Sequence, residues 1–182
     1  GLVPKTHIPN YGEFYEQRHF TRGMRQAVPV TFDAETQTWM GTQQIFTCQQ
    51  YPMLRVAAEI CEDLWAPDPP STGHALAGAN LIVNLSASDE TTGKDIYRRE
   101  LVKGQSARLL CGYVYCSAGE GESTQDIVFS GHNVIAENGT VLAEAARFTN
   151  EITYSEIDVA RMTGERRRMT TFGTCGQEHY RY

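Results

Sequence analysis

Residues 55–117 alternate between short apolar runs and longer mixed segments, and this alternation restricts the fold more than any other feature. Branched and aromatic residues concentrate at 55–61, 81–85 and 112–117. Between them, 71–79 has a Ser/Thr start and an alanine-rich body, and 94–110 places Ile96, Leu101, Val102 and Leu109 among mixed charges. Strands separated by helices in this order point to α/β layering. Further strands are expected at 28–32, 44–47, 128–136, 141–145 and 151–157. Asn138 and Gly139 between two of these are a hairpin signal, so the second half adds antiparallel strands. From Gly164 onward the periodicity fades. Residues 166–182 read as an exit segment, and the Arg166, Arg167, Arg168 run reads as a solvated face. Leu2, Val3 and Pro4 read as the end of a strand whose beginning is missing, so the chain is expected to be an internal piece of a longer polypeptide.

Composition narrows the class. A chain of 182 residues with 41% hydrophobic content can bury one core. Its 16 basic residues against 22 acidic ones leave a formal charge of −6, without the footprint of a nucleic-acid binder. No stretch approaches the ~18 apolar residues of a membrane span, and the start has no signal-peptide pattern. Five cysteines, an odd number, argue for reduced thiols and a cytoplasmic setting. Cys111 and Cys116 read as two buried strand thiols. No second ligand pair stands at metal spacing, so no metal is expected.

The chemistry concentrates where an apolar strand runs into a cysteine: Val56-Ala-Ala-Glu-Ile-Cys61-Glu-Asp-Leu-Trp65. A strand tip followed by a tight turn exposes a side chain, which is the logic of a nucleophile elbow. A buried structural cysteine is the competing reading. Two acids beside the thiol raise its pKa unless a cation stands opposite. Lys5, at the end of the first strand, is either a solvated charge or that cation. The two positions converge if their strands are neighbours in one sheet. His132 is a dyad partner for Cys61 or a turn histidine bonded to backbone. Trp65 either walls a pocket or packs beneath the elbow.

Taken together, Lys5 with Ile8-Pro-Asn-Tyr11, the Glu16-x-x-x-Phe20 pattern, the Glu59-to-Trp65 block, Asn84-Leu-Ser-Ala-Ser88 and Val128-Phe-Ser-Gly-His-Asn133 resemble the nitrilase (carbon-nitrogen hydrolase) superfamily. Within it, they resemble the glutaminase domains of glutamine-dependent NAD synthetases. The resemblance implies a four-layer α-β-β-α sandwich, truncated at its N-terminus, over residues 1–172, with 173–182 leading towards a synthetase domain. It implies a Glu-Lys-Cys triad in which Cys61 is the nucleophile, Lys5 the lysine, and the glutamate falls ahead of Gly1. Glu16 matches a second glutamate that orients the lysine and the amide, with Glu13 as the lesser candidate. Tyr11, Ser88 and Lys94 match glutamine-binding positions, although the family often has arginine where Lys94 stands. The oxyanion falls to Lys5 and the Glu62 backbone N–H. The implied substrate is L-glutamine, and the implied assembly is a homo-oligomer. No cofactor is needed for this half-reaction, since ATP, magnesium and deamido-NAD belong to the synthetase domain. A stand-alone nitrilase-type amidase and an inactive structural fragment are the alternatives.

Overall fold

The computed structural model describes residues 1–122 and 126–179. Three runs rich in branched and aromatic residues form the central strands: β4 (Arg55–Ile60), β5 (Leu81–Ser86) and β6 (Gly112–Ser117). They are parallel, with Val56 opposite Leu81 and Leu81 opposite Gly112. Parallel neighbours need long crossovers. These are supplied by α1 (Pro70–Leu76), with proline at its first turn, and α2 (Lys94–Leu109). The sheet continues with antiparallel β7 (Val134–Glu137) and β8 (Thr140–Glu144), and antiparallel β3 (Phe46–Thr47) borders β4 on the other edge. The order is β3-β4-β5-β6-β7-β8. Asn138 and Gly139 both take positive φ, 43° and 83°, as a type I′ hairpin turn requires. A separate antiparallel pair joins β1 (Val28–Thr31) to β2 (Gln37–Met40), closed by Asp33 Oδ1 accepting the N–H groups of Glu35 and Thr36. The helix-covered sheet thus supplies one α and one β layer among the described residues.

The core lies between the sheet and the two crossover helices, around Ala57, Ile82, Val102, Tyr113, Tyr115 and Val134, all fully buried. The buried face of α2 differs from the expected one. Ile96 is 66% exposed, while Arg98, Val102, Gln105, Ser106 and Leu109 point inward. Val102 and Leu109 are buried as expected, and Arg98, Gln105 and Ser106 beside them add hydrogen bonds to that apolar contact. Arg98 donates to Glu90 and Asp89, and Gln105 donates to Ser71 and Thr72 on α1.

Several expected boundaries move. Residues 151–157 form no strand, and Ile152 and Tyr154 are exposed, because no neighbouring strand pairs with them among the described residues. The strand expected from 128 begins only at Val134, after Gly131 turns the backbone at φ 66°. Leu2 makes a single parallel bridge, to Met40. Cys111 is buried just before β6, and burial pushes its thiol up to about 12, but Cys116 is exposed on the sheet face away from the helices.

The largest departure is at the C-terminal end. The expected exit segment from residue 166 is mostly helical through 179: it holds the end of α3 (Val159–Arg168) and all of α4 (Thr170–His179). The last three residues of the anticipated exit segment lie outside the described residues. Asp158 caps α3 by accepting from Arg161 N–H, and α4 packs on α1. Arg166 does not belong to a solvated face. It donates to the carbonyls of Leu109, Leu110 and Ala75 at 2.8, 3.0 and 3.4 Å, and lies 4.8 Å over the Phe172 ring. Leu110 ends α2 in the left-handed region, φ 46°, where glycine is usual, so these terminal carbonyls depend on an outside donor. Arg166→Met is expected to lower the free energy of unfolding by about 2 kcal/mol, read by urea denaturation. Arg168→Met, on the exposed side of the same turn, is expected to change it by less than about 0.5 kcal/mol.

Candidate active site

The carboxyl ends of β4, β5 and β6 open onto one rim, the usual place for a site in a parallel sheet. At the tip of β4 the chain reverses into a 3-10 turn, Cys61–Leu64. Cys61 takes φ 48°, a left-handed conformation that costs a non-glycine residue about 1–2 kcal/mol. Its N–H is held by Asn84 Oδ1, at 3.0 Å, from β5. A cysteine at a strand tip in this conformation has the elbow geometry expected from the sequence.

Asp63 fixes what stands opposite. It is buried, and its carboxylate accepts from Ile60 N–H at 2.9 Å within the elbow, and from His7 N–H at 2.7 Å and Thr6 N–H at 3.4 Å. One side chain therefore ties the segment after Lys5 to the turn that begins at Cys61. Burial raises the Asp63 carboxyl above its ordinary value, against the lowering effect of the three N–H donors. Lys5 Nζ donates to Glu16 Oε2 at 3.0 Å, with side chains 16% and 31% exposed. Lys5, Glu16 and Cys61 line one cleft of about 480 Å³, shared with Ser86, Cys116 and Ser117.

Cys61 also lines a second cleft, of about 460 Å³, with Tyr11, Glu62, Trp65, Ser88 and Lys94. All five residues expected at the substrate-binding positions thus gather there, and Glu13 lines this cleft rather than pairing with Lys5. Tyr11 donates its hydroxyl to Glu62 at 2.8 Å, and partial burial together with that carboxylate pushes the phenol upward. Trp65 stands edge-on to Tyr97, 5.2 Å between centroids, and the Lys94 ammonium lies 5.4 Å over its ring. Trp65 therefore walls the cleft. Lys94 also pairs closely with Asp89, so its charge is already countered within the cleft.

His132 takes no part in either cleft. Its Nδ1 lies 3.0 Å from Arg98 Nη1 and its Nε2 2.7 Å from Glu144 Oε1. Arg98 can only donate, so Nδ1 accepts and the proton sits on Nε2, facing Glu144. Both ring nitrogens are taken and no dyad with Cys61 forms. The His132–Arg98 pair braces Glu90 and the backbone of Asp89, and so holds the loop that carries Ser88.

Sequence reasoning missed the parts played by Asp63 and Asn84. The available signal was an aspartate just beyond a strand end, a residue type that captures backbone N–H groups at turns. It counted instead as one of two acids opposing the thiolate. No group of three or more His, Cys, Asp or Glu side chains has metal-holding geometry among the described residues, and no helix there is long and apolar enough to cross a membrane.

An α/β sheet with an elbow cysteine and a lysine–glutamate pair at its rim fits one class of enzyme. Residues 2–167 match the carbon-nitrogen hydrolase family, and the chain belongs to that family. Within it, the chain is 40% identical over 181 residues to the glutamine-dependent NAD(+) synthetase of Mycobacterium tuberculosis, covering 98% of this chain and 26% of that protein. The chain thus spans about a quarter of the length of the curated relatives it matches. A crystal structure of a glutamine-dependent NAD(+) synthetase from Cytophaga hutchinsonii superimposes with a TM-score of 0.69 at 27% identity, covering 84% of this chain and 24% of that one. A carbon-nitrogen hydrolase from Helicobacter pylori G27 shares the fold, with a TM-score of 0.67 at 22% identity over 91% of this chain and 55% of that one.

Replacing Asp63 with alanine leaves three backbone donors without their acceptor. Asp63→Ala is expected to cost about 2–3 kcal/mol of stability. It is also expected to speed amide exchange at residues 6 and 7, and unchanged exchange there would show that the segment is held by something else.

Proposed function

We propose that this chain supplies the nucleophile, Cys61, for hydrolysis of the side-chain amide of L-glutamine through a thioester. The observation that carries the reading is the placement of Cys61, in a left-handed elbow, on the same cleft as the Lys5–Glu16 ion pair. The base is the family's glutamate, which the resemblance puts ahead of Gly1. It takes the Sγ proton, and sulfur attacks the amide carbon. The oxyanion is met by the Lys5 ammonium and the Glu62 N–H, which lies in the first turn of a 3-10 segment and has no intrahelical acceptor. Glu16 holds the lysine in place. The C–N bond breaks, ammonia leaves with the returned proton, and water releases glutamate from the thioester.

Tyr11, Glu62, Trp65, Ser88 and Lys94 form the substrate side of the site. That relatives are glutamine-dependent NAD(+) synthetases supports the rest of the proposal: ammonia made here feeds NAD synthesis in a synthetase part of the same polypeptide, where the family resemblance implies an ATP-dependent amidation of deamido-NAD. That part, not this one, takes ATP and magnesium. Homo-oligomeric assembly and a cytoplasmic setting belong to the same proposal.

The pairing of Lys94 with Asp89 favours a second reading, because a cleft whose cation is already countered suits a neutral amide. Labelling separates the two. In the full-length protein, a diazoketone analogue of glutamine is expected to modify Cys61 alone, located by peptide mass, with glutamine protecting. Modification of Cys48, Cys116 and Cys175 to the same extent, or none at all, refutes the glutamine reading. Protection by acetamide but not by glutamine supports the second. Lys5→Met is expected to lower kcat for glutamine hydrolysis by roughly 10²–10³-fold, as loss of an oxyanion donor does.

A further inference from the structure

Beneath the elbow, side chains from three adjacent strands form a hydrogen-bonded chain that the chemistry above does not use. Cys61 N–H donates to Asn84 Oδ1 at 3.0 Å, and Asn84 Nδ2 donates to Tyr113 Oη at 3.2 Å. The Tyr113 hydroxyl donates to Glu59 Oε1, and Ser71 N–H, at the start of α1, donates to Glu59 Oε2 at 2.8 Å. Asn84, Tyr113, Glu59 and Ser71 are each no more than 1% exposed. The chain begins and ends on one strand, since Glu59 lies two residues before Cys61, yet it runs through β5 and β6.

The donors all point the same way. A backbone N–H can only donate, so the Asn84 amide must present oxygen to Cys61 and nitrogen to Tyr113. The tyrosine oxygen accepts from Asn84 and spends its own proton on Glu59. Glu59 receives a donor on each oxygen, an arrangement that suits the ionised carboxylate, an acceptor at both. The orientation of the Asn84 amide, and with it the bond that restrains Cys61 at φ 48°, therefore depends on an acceptor two strands away. Among the described residues no cation pairs with Glu59. The titratable groups around it are Asp63 in the elbow turn, Tyr113 on β6 and Cys111 just before β6. A buried carboxylate without a counter-ion is costly, and a sheet core has cheaper ways to fill the space.

We infer that Glu59 is a positioning residue for the nucleophile, acting through Tyr113 and Asn84 on the Cys61 peptide. This rests on the reading of Cys61 as the nucleophile of an amidase. Burial pushes the Tyr113 hydroxyl well above its usual range, which keeps the proton on the tyrosine as the chain requires; the same burial pushes the Glu59 carboxyl up to about 7, so the acceptor is lost as the pH falls below neutral.

The test uses two near-isosteric changes in the full-length protein. Tyr113→Phe removes the central link, and Glu59→Gln sets an amide N–H against one of the two donors. Each is expected to lower kcat for glutamine hydrolysis about tenfold while KM stays within about twofold. The double variant is expected to be no slower than either single one, since both break one chain. Exchange of the Cys61 amide, followed by peptide-resolved deuterium uptake, is expected to quicken in both. Unchanged kcat in folded Tyr113→Phe, a loss confined to KM, or a double variant about a hundredfold slower would overturn the proposal. If one variant fails to fold, the other still reports kcat and exchange. If the unsubstituted protein does not hydrolyse glutamine, the amidase reading fails by itself. The Cys61 amide then decides the positioning claim: faster exchange in Tyr113→Phe supports it, and unchanged exchange refutes it.

Discussion

Everything at the rim depends on one carboxylate reaching across two chain segments. The turn after β4 could expose Cys61 without help, but nothing in the sheet obliges Lys5 to stand opposite. No ladder binds the segment around Lys5 to β4, and Leu2 contributes only a lone bridge to β2. Asp63 supplies the link by accepting from Thr6, His7 and Ile60 together. Backbone donors suit this task because their positions are set by the chain itself. A side-chain partner would add its own rotamer freedom.

The architecture sorts polar groups by strand. Toward their carboxyl ends β4, β5 and β6 carry the buried polar residues Glu59, Asn84, Ser86 and Tyr115, whereas Tyr113 shares the row of Ala57 and Ile82 behind them and sends only its hydroxyl forward to Glu59 and Asn84. Tyr115 donates to Ser86 at 2.6 Å, which repeats in a shorter form the linkage between Tyr113 and Glu59. The sheet is therefore apolar at one end and hydrogen-bonded at the other. A fully satisfied polar cluster is rigid, because each group that moves leaves another unpaired. On α2, Arg98 and Gln105 occupy positions that leucine would fill in a simpler helix, and all but the Arg98 Nε of their buried polar groups find partners.

Much of this was legible beforehand. The strands within 55–117 stood out because branched residues cluster between helical stretches, and the Asn138–Gly139 hairpin because few sequences suit two consecutive positive φ angles. Lys5, Glu16 and Cys61 could be grouped through their joint resemblance to a family, but their meeting rests on Asp63 rather than on the adjacent strands the sequence suggested. What stayed hidden had weak local signals. α4 contains Gly173, Gly176 and several threonines, which disfavour helix, so its packing on α1 overrides propensity. Residues 151–157 have strand-like composition, yet composition cannot supply a neighbour to pair with. Arg166 read as a surface charge because its partners, the carbonyls ending α2, are distant in sequence.

The Lys94–Asp89 pair bears on selectivity in a way that residue type alone does not reveal. An anion arriving at Lys94 meets a cation that already has a tethered competitor. Its net attraction is the difference between two similar interactions, less the work of turning Asp89 aside. Weakly held anions gain little from such a contact, and one anchored elsewhere along the cleft gains most. The tether acts as a threshold, so occupancy by a carboxylate reports on the whole ligand rather than on its charge.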